Sequence, residues 1–240
     1  MKKMDFLNAK PWLCTSKKGD PVNMSLQYCF FDLDGTIIDS SEGILASVSY
    51  ALDKMGLAPL SGDEGYSFIG PPLARSFSLH RGLSDEAAAE AVRLYRENYN
   101  AGGMLQCRVY DGVESLLNTL AARGIQCVLA TCKPHVYARP ILEHHGLLDR
   151  FCFLSGAELS GVRGEKHEVI AYALEQLSFP NPSTILMVGD RADDVLGAAK
   201  NKIQTLGALW GFGSEEELLG AGAMHVFKSP DLLAHFFGNT

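Results

Sequence analysis

The chain has 240 residues, 47% of them hydrophobic, and 21 Lys and Arg against 28 Asp and Glu give a formal net charge of −7. That balance, with no basic cluster to oppose it, argues against a nucleic-acid binder, and no apolar run approaches the ~20 residues that span a bilayer. The composition suits one large domain or two smaller ones with a real core. An acidic chain that takes an anionic substrate still needs local positive charge at its site.

The first 24 residues are polar, hold Pro11 and Pro21, and follow Lys2-Lys3 with no apolar segment. They read as an extension, disordered or draped over the surface, and not as a signal peptide. Met24 is an alternative start. Tyr28-Cys29-Phe30-Phe31 is then an unbroken apolar run, the pattern of a strand buried on both faces of a parallel sheet. It ends in Asp32-Leu33-Asp34-Gly35-Thr36. Side chains two apart in a strand point the same way, so Asp32 and Asp34 face one pocket while Leu33 turns inward. Gly35 allows a tight turn and a close approach of backbone to ligand. Two such carboxylates repel each other, and a bound divalent cation is the usual remedy; oxygen donors suit Mg²⁺.

Asp39 and Glu42 have capping-box spacing, followed by a helix with Ile44, Val48, Ala51, Leu52 and Met55 on one face and Gly56 at its end. Phe68-Ile-Gly-Pro-Pro-Leu73 reads as a rigid loop. A second helix starts near Pro72 or Leu73, and a third runs from Ser84 to about Tyr99. No strand is evident between Asp39 and Arg108, so this stretch is a small helical unit inserted after the first strand.

From Tyr110 onward strands and helices alternate. Asp111-Gly-Val-Glu114 is a second capping box; Ile125–Ala130 is a strand ending at Thr131; Pro134 opens a helix with Pro140 inside it. Phe151–Leu154 is a strand, Lys166–Leu177 a helix, and Thr184–Val188 a strand ending at Gly189-Asp190. A helix over Asp194–Lys200, a strand over Gln204–Leu209, a helix capped by Ser214, a strand over Met224–Phe227 and a helix opened by Ser229-Pro230 complete the chain. This alternation is the mark of a parallel α/β sheet with helices on both faces. The six cysteines are scattered without a CxxC pair, which points to free thiols in a reducing, cytoplasmic compartment. The histidines show no ligand spacing; His144-His145 read as surface or cap residues.

Three apolar strands thus end in Asp32/Asp34, Thr131 and Asp190, with Lys166 opening a helix near the same rim. Ligands of such sheets sit beyond the carboxyl ends of the strands. The set suits phosphoryl transfer, which asks for positioning and charge neutralisation more than covalent chemistry.

In their order, these motifs resemble the four signatures of the haloacid dehalogenase-like (HAD) superfamily of phosphatases, over nearly everything from Leu26 to the C-terminus. The resemblance implies a Rossmann-like doubly wound parallel core (25–39 and 108–240) with an inserted all-helical cap (40–107) that closes over the site. It implies Asp32 as nucleophile, Asp34 as general acid/base, Thr131 as a hydroxyl on the phosphoryl oxygens and Lys166 as the neutralising cation. It also implies Mg²⁺ held by Asp32, the backbone carbonyl of Asp34 and Asp190, with Asp194 in the outer shell in preference to Asp193. Gly35, Thr36, Cys132 and Lys133 fall beside the phosphate. Lys133 reads equally as a surface residue, and Cys132, where the related branch has Ser, adds a possible redox sensitivity. The loop Phe68–Leu73 is similar to the specificity loop of phosphoglycolate-phosphatase-like caps, with Arg75 as the nearest cation for a second anionic group. The presence of Asp34 argues against a dehalogenase.

Thr131-Cys-Lys-Pro134, Lys166-His-Glu-Val-Ile170, Gly189-Asp-Arg-Ala-Asp-Asp-Val195 and Leu209-Trp-Gly-Phe-Gly213 resemble a bacterial phosphoglycolate phosphatase or 5′-nucleotidase-like branch. The expectation is therefore a Mg²⁺-dependent phosphatase for a small phosphorylated metabolite, phosphoglycolate-like. The alternatives are a 5′-nucleotidase, a pyrophosphatase, a phosphomutase or a non-catalytic phosphate-ligand sensor. Aromatic residues in the cap pocket would favour the nucleotidase. No nucleic-acid or membrane partner is expected, and the chain is a monomer or a dimer.

Overall fold

The structure is a computed structural model that describes residues 26–238 together with residues 13–15 and 21–23. Within the N-terminal extension, β1 (Leu13–Thr15) and β2 (Pro21–Asn23) pair antiparallel, so that segment is not wholly without order. Its other residues, where disorder was also expected, lie outside the described ones.

In chain order there follow β3 (Tyr28–Phe31), β4 (Ile38–Asp39), α1 (Ser41–Lys54), α2 (Leu73–Arg81), α3 (Asp85–Asn100) and β5 (Arg108–Val109). Then come α4 (Val113–Ala122), β6 (Gln126–Pro134), α5 (His135–His144), β7 (Phe151–Ala157), α6 (Lys166–Gln176), β8 (Ile185–Gly189) and α7 (Ala192–Lys200). The chain ends in β9 (Gln204–Ala208), α8 (Glu215–Ala221), β10 (His225–Phe227) and α9 (Pro230–Gly238).

Six strands form one parallel sheet in the order β10-β9-β8-β3-β6-β7. The alternation in β3 explains its central place. Cys29, Phe31 and Leu33 enter the apolar layer under α4, α5 and α9, whereas Phe30 enters the opposite layer under α6 and α7. A strand apolar on both faces is stable only where helices cover both. In register, Phe31 lies beside Leu129 of β6 and Val188 of β8. β3 and β8 therefore finish nearly level while β6 runs on beyond them, and the chain reverses direction across the sheet at β3, which opens a crevice there.

The helical insertion has a core of its own. Ile44, Val48 and Leu52 of α1 pack with Phe68, Phe77 of α2, and Leu94, Tyr95 and Tyr99 of α3. The chain leaves and re-enters the sheet domain through paired antiparallel strands, Ile38 opposite Val109 and Asp39 opposite Arg108, so the two crossings are tied together. Asp39 is not the N-cap of α1. Ser40 is, and the Asp39 carboxylate instead accepts hydrogen bonds from the Ser41 N–H at 3.1 Å and its hydroxyl at 2.6 Å and pairs with Arg108 at 3.1 Å. The second expected box also fails: the N-cap of α4 is Gly112, φ 85°, with no side-chain cap. Ser214 does cap α8, accepting the Glu217 N–H at 3.1 Å. β6 runs past Ala130 to Pro134, with a register shift against β7 after Thr131. That extra length carries Thr131, Cys132 and Lys133 onto the rim.

Candidate active site

Asp32 follows β3 directly, and its N–H donates to Val188 O at 3.0 Å, which ties it to the neighbouring strand that delivers Asp190. Gly35 then turns at φ +79°, and a Cβ there would lie 2.1 Å from Asp190 Oδ2. Only glycine permits both the turn and that approach. Asp190 is fully buried; Thr36 Oγ1 donates to its Oδ1 at 3.2 Å and the Phe212 N–H to its Oδ2 at 2.9 Å. Trp210 Nε1 donates to Thr36 O at 2.9 Å. The Leu209–Gly213 loop thus braces both the Gly35 turn and Asp190.

Lys166, at the first position of α6, sends a buried ammonium into the same place. Its Nζ lies 2.8 Å from Asp32 Oδ1 and 2.8 Å from Asp194 Oδ1, and donates to Ala130 O at 3.0 Å. Burial disfavours that charge, yet Asp194 and Asp32 hold its affinity for the proton well above the usual lysine range. Asp194 also accepts the Arg191 N–H at 3.1 Å, at the start of α7. Asp193, by contrast, is exposed.

Asp32, Asp190 and Asp194 can each offer an oxygen within 4.8 Å of the others. One ammonium cannot balance three buried carboxylates. Burial first, then the neighbouring acids, push Asp32 up to about 6 against the pull of Lys166. Burial, with Asp194 and Asp32, raises Asp190 well above the ordinary carboxylate range. A buried, negatively charged cluster of oxygen donors fits a hard divalent cation.

Two cavities meet over this rim. The smaller, about 150 Å³, is lined by Asp32, Thr131, Lys166, Arg191 and Asp194 among others. The larger, about 320 Å³, lies between the sheet domain and the insertion, with Phe68, Tyr95, Tyr99 and Tyr137 in its wall. Asp34, Cys132 and Lys133 belong to both linings, as do Gly70 and Pro71 of the loop expected to read the substrate.

Thr131 is buried at the smaller cavity and its hydroxyl oxygen accepts the Lys133 N–H at 3.2 Å. Lys133 is not a surface residue. Its Nζ pairs with both oxygens of Asp34, at 2.9 and 3.0 Å. Arg75 is exposed and lines neither cavity, because it sits on the outer side of α2. Burial pushes the Cys132 thiol up to about 12, so it stays protonated at neutral pH and loses the thiolate character that redox sensitivity requires.

Two groups went unassigned in the sequence. Arg191 follows Asp190 directly; its Nε donates to Glu217 Oε1 at 2.9 Å and its Nη1 to Ile69 O at 3.2 Å, tying the insertion's loop to the sheet domain. Its place inside the Gly189–Val195 motif was the available signal. Tyr95 and Tyr99 stand four residues apart on α3, a spacing visible in the sequence; that Tyr137 of α5 would meet Tyr99 edge-on at 5.2 Å was not.

The haloacid dehalogenase-like hydrolase family model matches residues 29–208. A 5′-nucleotidase of Pseudomonas aeruginosa is 41% identical over 188 residues, 78% of this chain and 85% of that protein. The tyrosine-protein kinase PtkA of Mycobacterium tuberculosis is also 41% identical, over 79% of this chain but 64% of its own length. A crystal structure described as a predicted phosphatase from Clostridium acetobutylicum superposes with a TM-score of 0.85 at 40% identity, covering 90% of this chain and 100% of that one. Matched over most of its length and carrying its acids on the carboxyl ends of a parallel sheet, the chain belongs to the haloacid dehalogenase-like hydrolase family and is a phosphatase.

Proposed function

We propose that the chain is a Mg²⁺-dependent phosphatase of a nucleoside 5′-monophosphate or a closely similar aromatic monoester, working through an aspartyl phosphate on Asp32. The observation that carries the substrate class is the larger cavity: about 320 Å³, walled by Phe68, Tyr95, Tyr99 and Tyr137, and joined at Asp34 to the charged cavity. Rings of this kind suit a flat base, and stacking is worth about 1–3 kcal/mol per base. The 5′-nucleotidase of Pseudomonas aeruginosa supports the same reading. A phosphoglycolate-like substrate, the expectation from the motif and cap resemblance, would leave most of that space unfilled, and Arg75 faces solvent. Arg96 does line the larger cavity, which keeps a small dianion as the second reading.

Asp32 attacks phosphorus as the bond to the leaving oxygen breaks, and Asp34 gives that oxygen its proton; Asp34 then takes a proton from the water that cleaves the aspartyl phosphate. Lys166 offsets charge on Asp32 and the phosphoryl group, and Thr131 is placed to hydrogen-bond a phosphoryl oxygen. Asp32 and Asp190, with Asp194 beside them, would hold Mg²⁺, which would supply further positive charge to offset that of the phosphate. The free thiols, Cys29, Cys107, Cys127, Cys132 and Cys152, are in keeping with a reducing cytoplasm, and among the described residues no helix is long and apolar enough to cross a membrane.

The test is kcat/KM across nucleoside monophosphates, tyrosine phosphate, phosphoglycolate, sugar phosphates and pyrophosphate, with Mg²⁺ and with chelator. A preference of tenfold or more for nucleoside monophosphates, lost in chelator, is expected. A preference for phosphoglycolate or pyrophosphate overturns the substrate class, and no phosphate release from any of them overturns the reading altogether.

A further inference from the structure

Lys133 stands where the two cavities join, and it has a different task from Lys166. Its side chain is 6% exposed, and its ammonium grips both oxygens of Asp34 at 2.9 and 3.0 Å. It contacts neither Asp32 nor Asp194 among the ion pairs of the described residues; those belong to Lys166. The same ammonium lies 5.2 Å over the ring of Tyr99. Tyr99 is on α3 of the insertion; it stacks on Tyr95 at 5.1 Å and meets Tyr137 of the sheet domain edge-on at 5.2 Å. One buried cation thus touches the acid on the sheet and the aromatic roof supplied by the insertion.

From this geometry we infer that Lys133 is a positioning residue for Asp34: it aims that carboxyl at the leaving oxygen and makes the aim depend on the insertion being seated. The inference rests on the reading of Asp32 as nucleophile and Asp34 as proton donor. When the P–O bond to the leaving group breaks and the Asp32–phosphorus bond forms, the proton passes from Asp34 to the leaving oxygen, and a carboxylate remains. Lys133 faces that carboxylate with a charge-assisted contact to both oxygens, and the pair is largely buried, where such a pair is stronger than in open water. The Tyr99 ring face attracts the same ammonium, an attraction that grows when the cation is desolvated. If the insertion lifts, Tyr99 leaves, and Lys133 loses the contact that fixes its direction. Proton delivery is then coupled to the presence of a leaving group under the roof.

The consequence is selective. A nucleoside leaves as a poor alkoxide and needs the proton; p-nitrophenolate leaves readily without it. Lys133→Met, which keeps the stem and removes the charge, should lower kcat about 10²-fold for a nucleoside 5′-monophosphate, the range of one acid–base contribution. It should lower kcat less than about threefold for p-nitrophenyl phosphate. Tyr99→Leu should show the same split at about a tenth of the size, and serves if the Met variant fails to fold. Equal losses on both substrates, the outcome for a lysine that binds the phosphoryl group itself, overturn the inference, and so does no loss on either. Asp32→Asn on both substrates separates the two levels: activity in that variant overturns the underlying reading, whereas an inactive Asp32→Asn with equal losses at Lys133 overturns the inference alone.

Discussion

The two cavities that meet at Asp34 are built on opposite principles. The smaller is made of charges on strand ends and helix starts, held by hydrogen bonds, buried ion pairs and close-packed glycine backbone. The larger is made of ring faces from α3, α5 and the loop before α2, joined across two cores that share few covalent links. The first can provide chemistry common to many phosphate monoesters. The second can choose among them, and its walls can part. Substitution should be tolerated better at the second than at the first, because a misplaced charge in a buried site costs far more than a missing ring contact.

The largest effect that would sharpen this contrast is Asp32→Asn. Turnover should fall roughly 10⁴-fold or more while the melting temperature holds or rises, since one of three crowded carboxylates has been neutralised; stopped phosphate release with intact folding is the measurement. Gly35→Ala should come next. Its φ of +79° and a new Cβ 2.1 Å from Asp190 Oδ2 should cost roughly 3 kcal/mol in urea denaturation and displace Asp190 from its place beside Asp32.

A comparable effect follows from charge alone. Asp32 is pushed from 3.8 up to about 6 by burial in the folded chain, so between those values the native state binds more protons than the unfolded one. The sign is therefore a loss of stability as pH rises through that window, up to roughly 3 kcal/mol. Thermal melts in chelator should show it, and adding Mg²⁺ at neutral pH should reverse it. A chelated protein equally stable at pH 4 and pH 7 would show that the cluster is not short of positive charge.

Smaller effects test the aromatic region. Tyr137→Leu should narrow the kcat/KM preference for nucleoside monophosphate over phosphoglycolate by about tenfold while leaving turnover of the latter within about twofold. Arg75→Ala, at an exposed position, should change neither substrate measurably; a tenfold rise in KM for any monoester would restore the role that its place near the loop suggested.

Most of the charged region was legible from residue order. An apolar run ending in Asp32-x-Asp34-Gly35-Thr36, and others ending in Thr131 and Gly189-Asp190, carry their own geometry: a strand buried on both faces must deliver its next residues to the rim. The aromatic region was not legible in that way. Periodicity says which face of α3 is apolar but not whose ring it meets, and nearness along the chain put Arg75 with a loop whose Ile69 O in fact accepts from Arg191 Nη1. Caps were misread for a related reason: Asp39 is drawn away by Ser41 and Arg108, a partner 69 residues distant.

The amino-acid order by itself determined the alternating α/β pattern, the inserted helices, and which acids and which lysine at 166 stand on the sheet's rim, because these depend on local burial and on strand direction. Only the tertiary structure decided that Lys133 belongs to Asp34 and Tyr99, that Arg75 faces water, and that four rings share the wall of one cavity. Those pairings arise where two separately packed cores are pressed together, and nothing in the spacing along either one specifies what the other presents to it.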